Sequence, residues 1–278
     1  MILLADGGST KVDWRVVDHG KQITQIFTKG ANPFFRTSGE IAEEWKEDLL
    51  PFIGKYTIEE VHFFGAGCAN PEKNAIIEQA IVQVIPAPVI EVGSDLVAAA
   101  RGLCGREKGI ACIIGTGSNS CFYDGQEIRD NVSPLGYILG DEGSGAVLGK
   151  LLVGACLKNQ LTPGLKEKFL EQYQLTPAAI LDRVYKQPLL NRFLASFSPF
   201  LTQHIGDPTV YALVTQAFRE FFIRNVMQYD YQQHEVHLTG SVAWHYREIL
   251  FTVATGLGIR PGKISQSPME GLIEYYNQ

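Results

Sequence analysis

The first thirty residues alternate between apolar and polar positions, as expected for strands with one buried face. Val12, Trp14 and Val16, for example, fall on the same face of one predicted strand. Three strands are predicted in this region, at residues 2–5, 12–16 and 23–27. The chain therefore opens with an antiparallel meander, and the helical pattern that follows, with Ser38 as its N-cap, runs to residue 53.

Strand and helix patterns then alternate up to residue 104, and a second meander begins after residue 109, with its tight turn at Asp124-Gly125. The rest of the chain is mainly helical. The later predicted strands span residues 61–64, 87–92, 110–114, 118–123, 126–129 and 235–238. The later predicted helices span residues 72–84, 96–104, 142–159, 165–173, 178–185, 189–197, 208–229, 242–254 and 269–276.

This order of elements predicts an α/β protein with two lobes. The first lobe comprises residues 1–107, and the C-terminal helix within residues 268–278 is expected to pack back on it. The second lobe comprises residues 108–267. A Gly-rich meander opens each lobe, so we expect one fold to occur twice, and 278 residues are enough for two cores.

Composition and charge argue against several classes of function. Hydrophobic residues make up 45% of the chain and charged residues 19%, the profile of a soluble globular protein. The net charge of −6, without a cluster of Lys and Arg, argues against binding to nucleic acid. No apolar run reaches about 18 residues, so no membrane span is predicted. The five cysteines are scattered and the first residues lack a signal-peptide pattern, so a cytoplasmic location is expected.

The first of three Gly-rich turns, with the sequence DGGSTK, covers residues 6–11 between the first two strands. Its glycines let a ligand approach the backbone closely, and amide and hydroxyl groups here can surround a phosphate. Asp6 stands at the end of the strand, where it can hold Mg²⁺ through water. The alternative is a hairpin turn with a solvated aspartate.

The second turn, GTGSNS at residues 115–120, also follows a buried strand and also opens a hairpin. Two such turns at equivalent places suggest two phosphate-binding hairpins that face each other across a cleft. The third turn, at residues 236–241, ends a strand just before a helix, where a nucleoside can approach. An ordinary strand-to-helix turn is the alternative there.

Together, the DGGST, GTGSN and TGS turns resemble the phosphate and adenosine motifs of the actin–hexokinase–Hsp70 superfamily. The segments GANP (30–33), GSD (93–95), GTGSN (115–119) and GDEGSG (140–145) are similar to the N-acetylglucosamine kinase branch of the BadF/BadG/BcrA/BcrD ATPase family. This resemblance implies a two-lobed, actin-like (ribonuclease H-like) ATPase fold with a ligand cleft between the lobes.

The resemblance also implies roles for single residues. Asp95 matches the catalytic aspartate and also a sugar contact. The implied substrate contacts are Asn32, Asp95, Gly115, Asn119 and Asp141. The implied nucleotide contacts are Gly8, Ser9, Thr10, Lys11, Thr116, Gly117, Ser118, Gly240 and Ser241. Thr239 departs from the Gly-Gly pair usual before the adenosine loop, and helix capping is the alternative role for Asp95 and Asp141.

The implied activity is the ATP-dependent, Mg²⁺-dependent phosphorylation of a small amino sugar, N-acetylglucosamine at its 6-hydroxyl being the leading substrate. A muramic-acid derivative and glucosamine are the other sugars considered, and the helical second half would support a homodimer. The alternative activity is a partner-driving ATPase, like the family's activators of 2-hydroxyacyl-CoA dehydratases, which hold an iron–sulfur cluster through cysteines. A non-catalytic sugar sensor is the third hypothesis.

Overall fold

The computed structural model describes residues 1–8 and 10–277, in two compact units. Unit 1 consists of Met1–Glu107, Asp124–Ile128 and Ser267–Gln278, and unit 2 of Lys108–Tyr123 and Arg129–Gln266. No helix among the described residues is long and apolar enough to cross a membrane.

Each sheet begins with a meander of three strands, and helices and parallel strands follow it. The strands are β1 (Ile2–Gly7), β2 (Lys11–Asp18), β3 (Lys21–Lys29), β4 (Glu60–Gly65), β5 (Val89–Ser94), β6 (Gly109–Ile114), β7 (Ser118–Tyr123), β8 (Ile128–Asp130), β9 (Val236–Thr239) and β10 (Pro261–Ser265). The helices are α1 (Ser38–Asp48), α2 (Leu50–Ile53), α3 (Pro71–Val82), α4 (Asp95–Cys104), α5 (Gly136–Leu139), α6 (Gly145–Leu157), α7 (Leu165–Gln172), α8 (Pro177–Lys186), α9 (Leu190–Ala195), α10 (Ser198–Gln203), α11 (Pro208–Arg224), α12 (Ser241–His245), α13 (Arg247–Gly256) and α14 (Met269–Tyr276). A 3₁₀ turn, Val226–Gln228, follows α11.

The two sheets have the same strand order. The sheet of unit 1 runs β3-β2-β1-β4-β5, and the sheet of unit 2, read from its other edge, runs β8-β7-β6-β9-β10. In each sheet the first strand pairs antiparallel with the second and parallel with the fourth. The duplicated meander predicted from the sequence is therefore present in both units.

Unit 1 has an apolar layer on each face of its sheet, because side chains alternate along every strand. On one face the rings of Trp14, Trp45 and Phe63 pack together, with 4.9 Å between the two tryptophan centroids. The other face is covered by α4 and α14. These helices pack so closely that an alanine Cβ at Gly271 would lie 1.8 Å from the backbone oxygen of Gly102. Unit 2 has a larger aromatic core, formed mainly by helices α6 to α11.

Several predicted boundaries are wrong, and local chemistry explains them. The first helix is capped by Thr37, which forms a capping box with Glu40, so Ser38 is the first helical residue. The helix predicted over residues 189–197 is α9, and α10 follows it as a separate helix. Strand β10 was not predicted, since Pro261 and Gly262 are poor strand formers, and it forms by parallel pairing with β9.

Candidate functional site

The turn between β1 and β2 is held by backbone bonds at both sides. Gly8 N–H donates to the oxygen of Lys11 at 2.9 Å, and Gly30 N–H donates to the oxygen of Thr10 at 3.0 Å. Thr10 and Lys11 are exposed, and the Lys11 ammonium lies 4.5 Å from the ring centroid of Phe27. Ser9, which was predicted to bind nucleotide, lies outside the described residues.

Carboxylates are concentrated beside this turn. Asp6 of β1 lies directly opposite Asp13 of β2, and Ser267 Oγ lies 3.5 Å from Asp6 Oδ2. Burial, followed by the charges of Asp95 and Asp13, raises the pKa of Asp6 to about 7. Asp13 already accepts hydrogen bonds from Arg15 and Gln25. Asp6 has the Ser267 hydroxyl and the charge of Lys11 as its stabilising partners.

Asp95 is the first residue of α4 and directly follows β5. The helix cap is Ser94, whose Oγ accepts a hydrogen bond from Val97 N–H at 3.4 Å, so the capping role considered for Asp95 falls to its neighbour. Burial raises the pKa of Asp95, while hydrogen bonds from the N–H groups of Leu96 and Asp95 itself lower it. The carboxylate thus stands at the carboxyl end of a parallel strand, held by backbone donors.

Asn32 contacts a loop that the sequence analysis did not identify, between β4 and α3. The Asn32 Oδ1 accepts a hydrogen bond from Phe34 N–H at 2.9 Å. Gly67 has a φ of +92°, and an alanine Cβ there would lie 2.5 Å from Asn32 Oδ1. The next residue, Cys68, is buried, and burial followed by the charge of Asp95 raises the pKa of its thiol to about 12. This loop therefore lies beside both Asn32 and Asp95, and its sequence signal was the two glycines Gly65, the last residue of β4, and Gly67.

The turn at residues 115–117, between β6 and β7, packs against the start of α6. Gly115 N–H donates to Gly117 oxygen at 2.9 Å. Gly145 N–H donates to Gly115 oxygen at 2.8 Å, and Ala146 N–H donates to Thr116 oxygen at 3.1 Å. Thr116 itself is exposed. Helix α6 thus presents its N-terminal end to the turn, where its dipole favours an anion.

Asp141 lies directly under this turn. Its Oδ1 accepts a hydrogen bond from Ser118 N–H at 3.2 Å, and an alanine Cβ at Gly117 would lie 3.2 Å from its Oδ2. Burial raises the pKa of Asp141, and the hydrogen bond from Ser118 lowers it. Ser144 caps α6 instead of Asp141, so the helix start predicted at residue 142 is wrong. The nearby Asn119 accepts hydrogen bonds from Ser120 N–H and from the Asn131 amide through its Oδ1.

The third turn joins β9 to α12 close to the end of β6. Gly240 has a φ of +115°, and an alanine Cβ there would lie 2.5 Å from the oxygen of Ile114. Ser241 is exposed and lines a cavity of about 250 Å³ between α10 and α12. A second cavity, of about 610 Å³, shares Thr202, His245 and Tyr246 with the first. The contribution of α10 was not predicted, because it depends on a contact between distant parts of the chain.

Known proteins resemble this chain along its whole length. A protein from Porphyromonas gingivalis, solved as a candidate N-acetylglucosamine kinase, is 50% identical and superposes with a TM-score of 0.96 over 100% of this chain and 99% of that one. The chain belongs to the N-acetylglucosamine kinase-like family of sugar kinases.

Two further comparisons show likeness in sequence and in fold. An N-acetylmuramic acid/N-acetylglucosamine kinase from Clostridium acetobutylicum is 27% identical over 233 residues, 78% of this chain and 76% of that protein. A ROK family glucokinase from Streptomyces griseus, solved with glucose and AMPPNP, has a TM-score of 0.64 at 16% identity, over 99% of this chain and 97% of that one. The predicted actin-like ATPase fold is confirmed. No model of a protein family matches the chain.

In this member of the kinase family, interactions within each unit join some of the predicted residues. In unit 1, Asp6 and Asp95 are electrostatically coupled. In unit 2, Asp141 contacts Gly117 and Ser118. Asp13, Cys68 and the cavity beside Ser241 were not predicted, and among these only Cys68 had a local signal, the glycines that precede it.

Proposed function

We propose that this protein transfers the γ-phosphoryl group of ATP to the 6-hydroxyl of N-acetylglucosamine. The observation that carries the proposal is the duplicated sheet topology, with a Gly-rich turn at the same hairpin in each unit. Phosphoryl transfer depends mainly on positioning and charge neutralisation, and the exposed residues Thr10, Lys11 and Thr116 at these turns offer hydroxyls and a positive charge for both. Membership of the N-acetylglucosamine kinase-like family supports the sugar.

In this proposal the phosphates are bound by small residues and backbone groups. The residues concerned are Gly8, Ser9, Thr10 and Lys11 in unit 1 and Thr116, Gly117 and Ser118 in unit 2. Lys11 supplies positive charge, and the start of α6 supplies its helix dipole beside the second turn.

The residues near Asp6 fit Mg²⁺. Asp6 is half-buried, and burial, followed by the charges of Asp95 and Asp13, raises the pKa of this carboxyl, so a divalent cation beside it would stabilise the charged form. Among the described residues no group of three or more His, Cys, Asp and Glu side chains could hold a metal ion. One or two carboxylates are nevertheless the usual protein contribution to Mg²⁺ that also binds phosphates and water. When bound, the ion would neutralise charge on the transferring phosphoryl group.

Asp95 is the proposed general base. The bond between the sugar oxygen and γ-phosphorus forms while the bond from γ-phosphorus to the bridging oxygen of ADP breaks, and the hydroxyl proton passes to the Asp95 carboxylate. A raised pKa suits this role, because a more basic carboxylate accepts the proton more readily. The backbone N–H groups of Asp95 and Leu96 orient the carboxylate.

The sugar and the nucleoside of ATP are assigned to different residues. Asn32 and Asp95 in unit 1 and Gly115, Asn119 and Asp141 in unit 2 are the proposed sugar contacts. Gly240 and Ser241 are the proposed nucleoside contacts, and the cavity beside Ser241 has apolar walls at Val242 and Pro199 that suit a base. Thr239 is buried and accepts a hydrogen bond from Ser265 at 3.1 Å.

The partner-driving ATPase is the less favoured alternative. ATPases of this kind, the dehydratase activators, hold an iron–sulfur cluster through cysteines. All five cysteines of this chain are buried thiols. The similarity to sugar kinases favours phosphorylation of a sugar over the partner-driving ATPase activity. Membership of this chain in the BadF/BadG/BcrA/BcrD branch is part of the proposal. A cytoplasmic location and a homodimer also belong to it, and sedimentation of the purified protein tests the dimer.

A sugar panel with Mg-ATP tests the function. N-acetylglucosamine, N-acetylmuramic acid, glucosamine and glucose are compared, with ADP and sugar phosphate measured in the same reaction. We expect N-acetylglucosamine to raise ADP production many-fold, with one sugar phosphate formed for each ADP. ATP hydrolysis that ignores every sugar and responds to a protein partner would establish the ATPase instead.

A further inference from the structure

Glu142 is a buried carboxylate that the proposed chemistry does not use. Its side chain lies between two partners at the end of α11, and only 8% of the residue is exposed. Oε1 lies 2.6 Å from Nη1 of Arg224, and Oε2 accepts a hydrogen bond of 3.1 Å from Nδ2 of Asn225. Because a buried carboxylate is costly without its partners, these bonds fasten the loop before α6 to the end of α11.

This loop, residues 140–144, is hydrogen-bonded to Ser118 in the turn between β6 and β7. The Ser118 hydroxyl donates to the backbone oxygen of Glu142 at 2.9 Å, and Ser118 N–H donates to Asp141 Oδ1 at 3.2 Å. One residue of the proposed phosphate turn is therefore bonded both to Glu142 and to the carboxylate of Asp141. A shift of the loop would move Asp141 relative to that turn.

The backbone of this loop needs such support. Asp141 has a φ of 54°, a left-handed conformation that few residues other than glycine adopt. Gly143 is also left-handed, and an alanine Cβ there would lie 3.1 Å from the Phe218 ring. Conformations of this kind persist when surrounding contacts hold them in place. Helix α11 thus supports the loop twice, through Phe218 behind Gly143 and through the polar partners of Glu142.

We propose that Glu142, held by Arg224 and Asn225, is a positioning residue that fixes the Asp141 carboxylate under the Gly117–Ser118 turn and so determines the affinity for the amino sugar. This inference rests on the proposed function, in which Asp141 contacts the sugar. Glu142 acts only through Asp141 and the loop backbone. Its removal should therefore affect sugar binding while ATP binding changes little.

The test compares Glu142→Gln with Asp141→Asn and with the double variant. Glutamine keeps the shape of the side chain and an oxygen for Asn225, but it loses the charge that pairs with Arg224. We expect Glu142→Gln to raise the sugar KM by about tenfold while the ATP KM stays within about twofold. If Glu142 acts through Asp141, the change should have little further effect in the Asp141→Asn background.

Two variants on α11 make the test specific. Arg224→Gln removes the charge partner from the exposed side, so it should reproduce the rise in sugar KM even where Glu142→Gln folds poorly. Arg219→Gln changes an exposed arginine of the same helix and should leave both KM values unchanged. Fully additive effects of Glu142→Gln and Asp141→Asn, or equal rises in the sugar and ATP KM, would overturn the inference.

Hydrogen exchange separates failure of this inference from failure of the proposed function. If the wild-type protein phosphorylates no sugar, the proposed function is wrong. The effect of Glu142 on the position of Asp141 can still be measured by hydrogen exchange of the Ser118 amide. We expect Glu142→Gln to speed exchange of that amide, which donates to Asp141, while Arg219→Gln does not. Unchanged exchange in Glu142→Gln would show that Glu142 does not hold Asp141 at the turn.

Discussion

The two units use the same strand order for different chemistry, and the hairpins show where they differ. In each hairpin we compare the second pair of facing residues, counted back from the turn. In unit 1 this pair is Asp6 and Asp13, and in unit 2 it is Ile113 and Asn119. Unit 1 therefore has carboxylates at this place, whereas unit 2 has an apolar residue and an amide. The start of α6 packs against the turn of unit 2 instead.

This difference suggests a division of labour. The carboxylates of unit 1 suit a cation and a transferred proton, whereas in unit 2 the start of α6 suits an anion and the Asp141 carboxylate under the turn is assigned to the sugar. The shared sheet fixes where a turn stands, and the side chains next to the turn decide what it can bind.

The largest effect is expected from Asp95→Asn in unit 1. Asparagine keeps the shape of the side chain but cannot accept the proton, so turnover should fall by about 10²-fold or more. Sugar and nucleotide binding, measured by calorimetry, should change little because the contacts remain. A variant that keeps more than a tenth of the wild-type turnover would remove Asp95 from the role of general base.

A second comparison substitutes one glycine in each turn. An alanine Cβ at Gly8 would lie 3.1 Å from the backbone oxygen of Lys11, and one at Gly117 would lie 3.2 Å from Asp141 Oδ2. Both variants should raise the ATP KM, by about tenfold, because a methyl group stands where phosphate approaches. Only Gly117→Ala should also raise the sugar KM, since it displaces Asp141.

The matched control for this pair is Gly154→Ala in α6, where an added Cβ meets nothing within 4 Å. Steady-state kinetics with each substrate varied in turn provide the measurement. Equal effects of Gly8→Ala and Gly117→Ala on the sugar KM would contradict the division between the units.

The β4–α3 loop offers a smaller effect confined to unit 1. Gly67→Ala would bring a Cβ to 2.5 Å from Asn32 Oδ1 and force a left-handed φ on alanine. We expect the sugar KM to rise by about fivefold, with the ATP KM unchanged, because Asn32 moves while the phosphate turns do not. Gly39→Ala in α1, where the added Cβ meets nothing within 4 Å, is the control. A change in ATP KM alone would separate Asn32 from the sugar.

How much the sequence predicts follows from how local each signal is. Strands β1 to β3 were predicted because their alternation is local, and the bounds of α14 coincide with those predicted. The start of α6 was wrong because the left-handed residues Asp141 and Gly143 extend the preceding loop to the Ser144 cap. The contact of Gly67 with Asn32 joins loops 35 positions apart in sequence, so no periodic pattern could indicate it.

The smallest effect concerns stability of unit 1 away from the proposed chemistry. Glu91 of β5 accepts hydrogen bonds from Tyr276 at 2.7 Å and from Arg101 at 2.7 Å, and it lies 2.8 Å from His62 Nδ1. Burial opposes the charged form, but these partners outweigh it and lower the pKa of Glu91 to about 2. The network ties α14 to α4 and to the sheet, and Asp95 begins that same α4.

Because the folded pKa of Glu91 is depressed, its charge stabilises the protein above the unfolded pKa of 4.5, and this contribution is lost as the pH falls towards 2. Glu91→Gln should therefore lower the melting temperature at pH 7, and the gap from wild type should narrow progressively below pH 4.5. Hydrogen exchange should quicken in α14 and not in α11, which belongs to unit 2. Turnover at pH 7 should stay near the wild-type value, since the bonds of Glu91 to Tyr276, Arg101 and His62 involve none of the proposed site residues. A gap in melting temperature that stays constant from pH 7 to pH 3 would show that packing, and not the charge of Glu91, holds α14 in place.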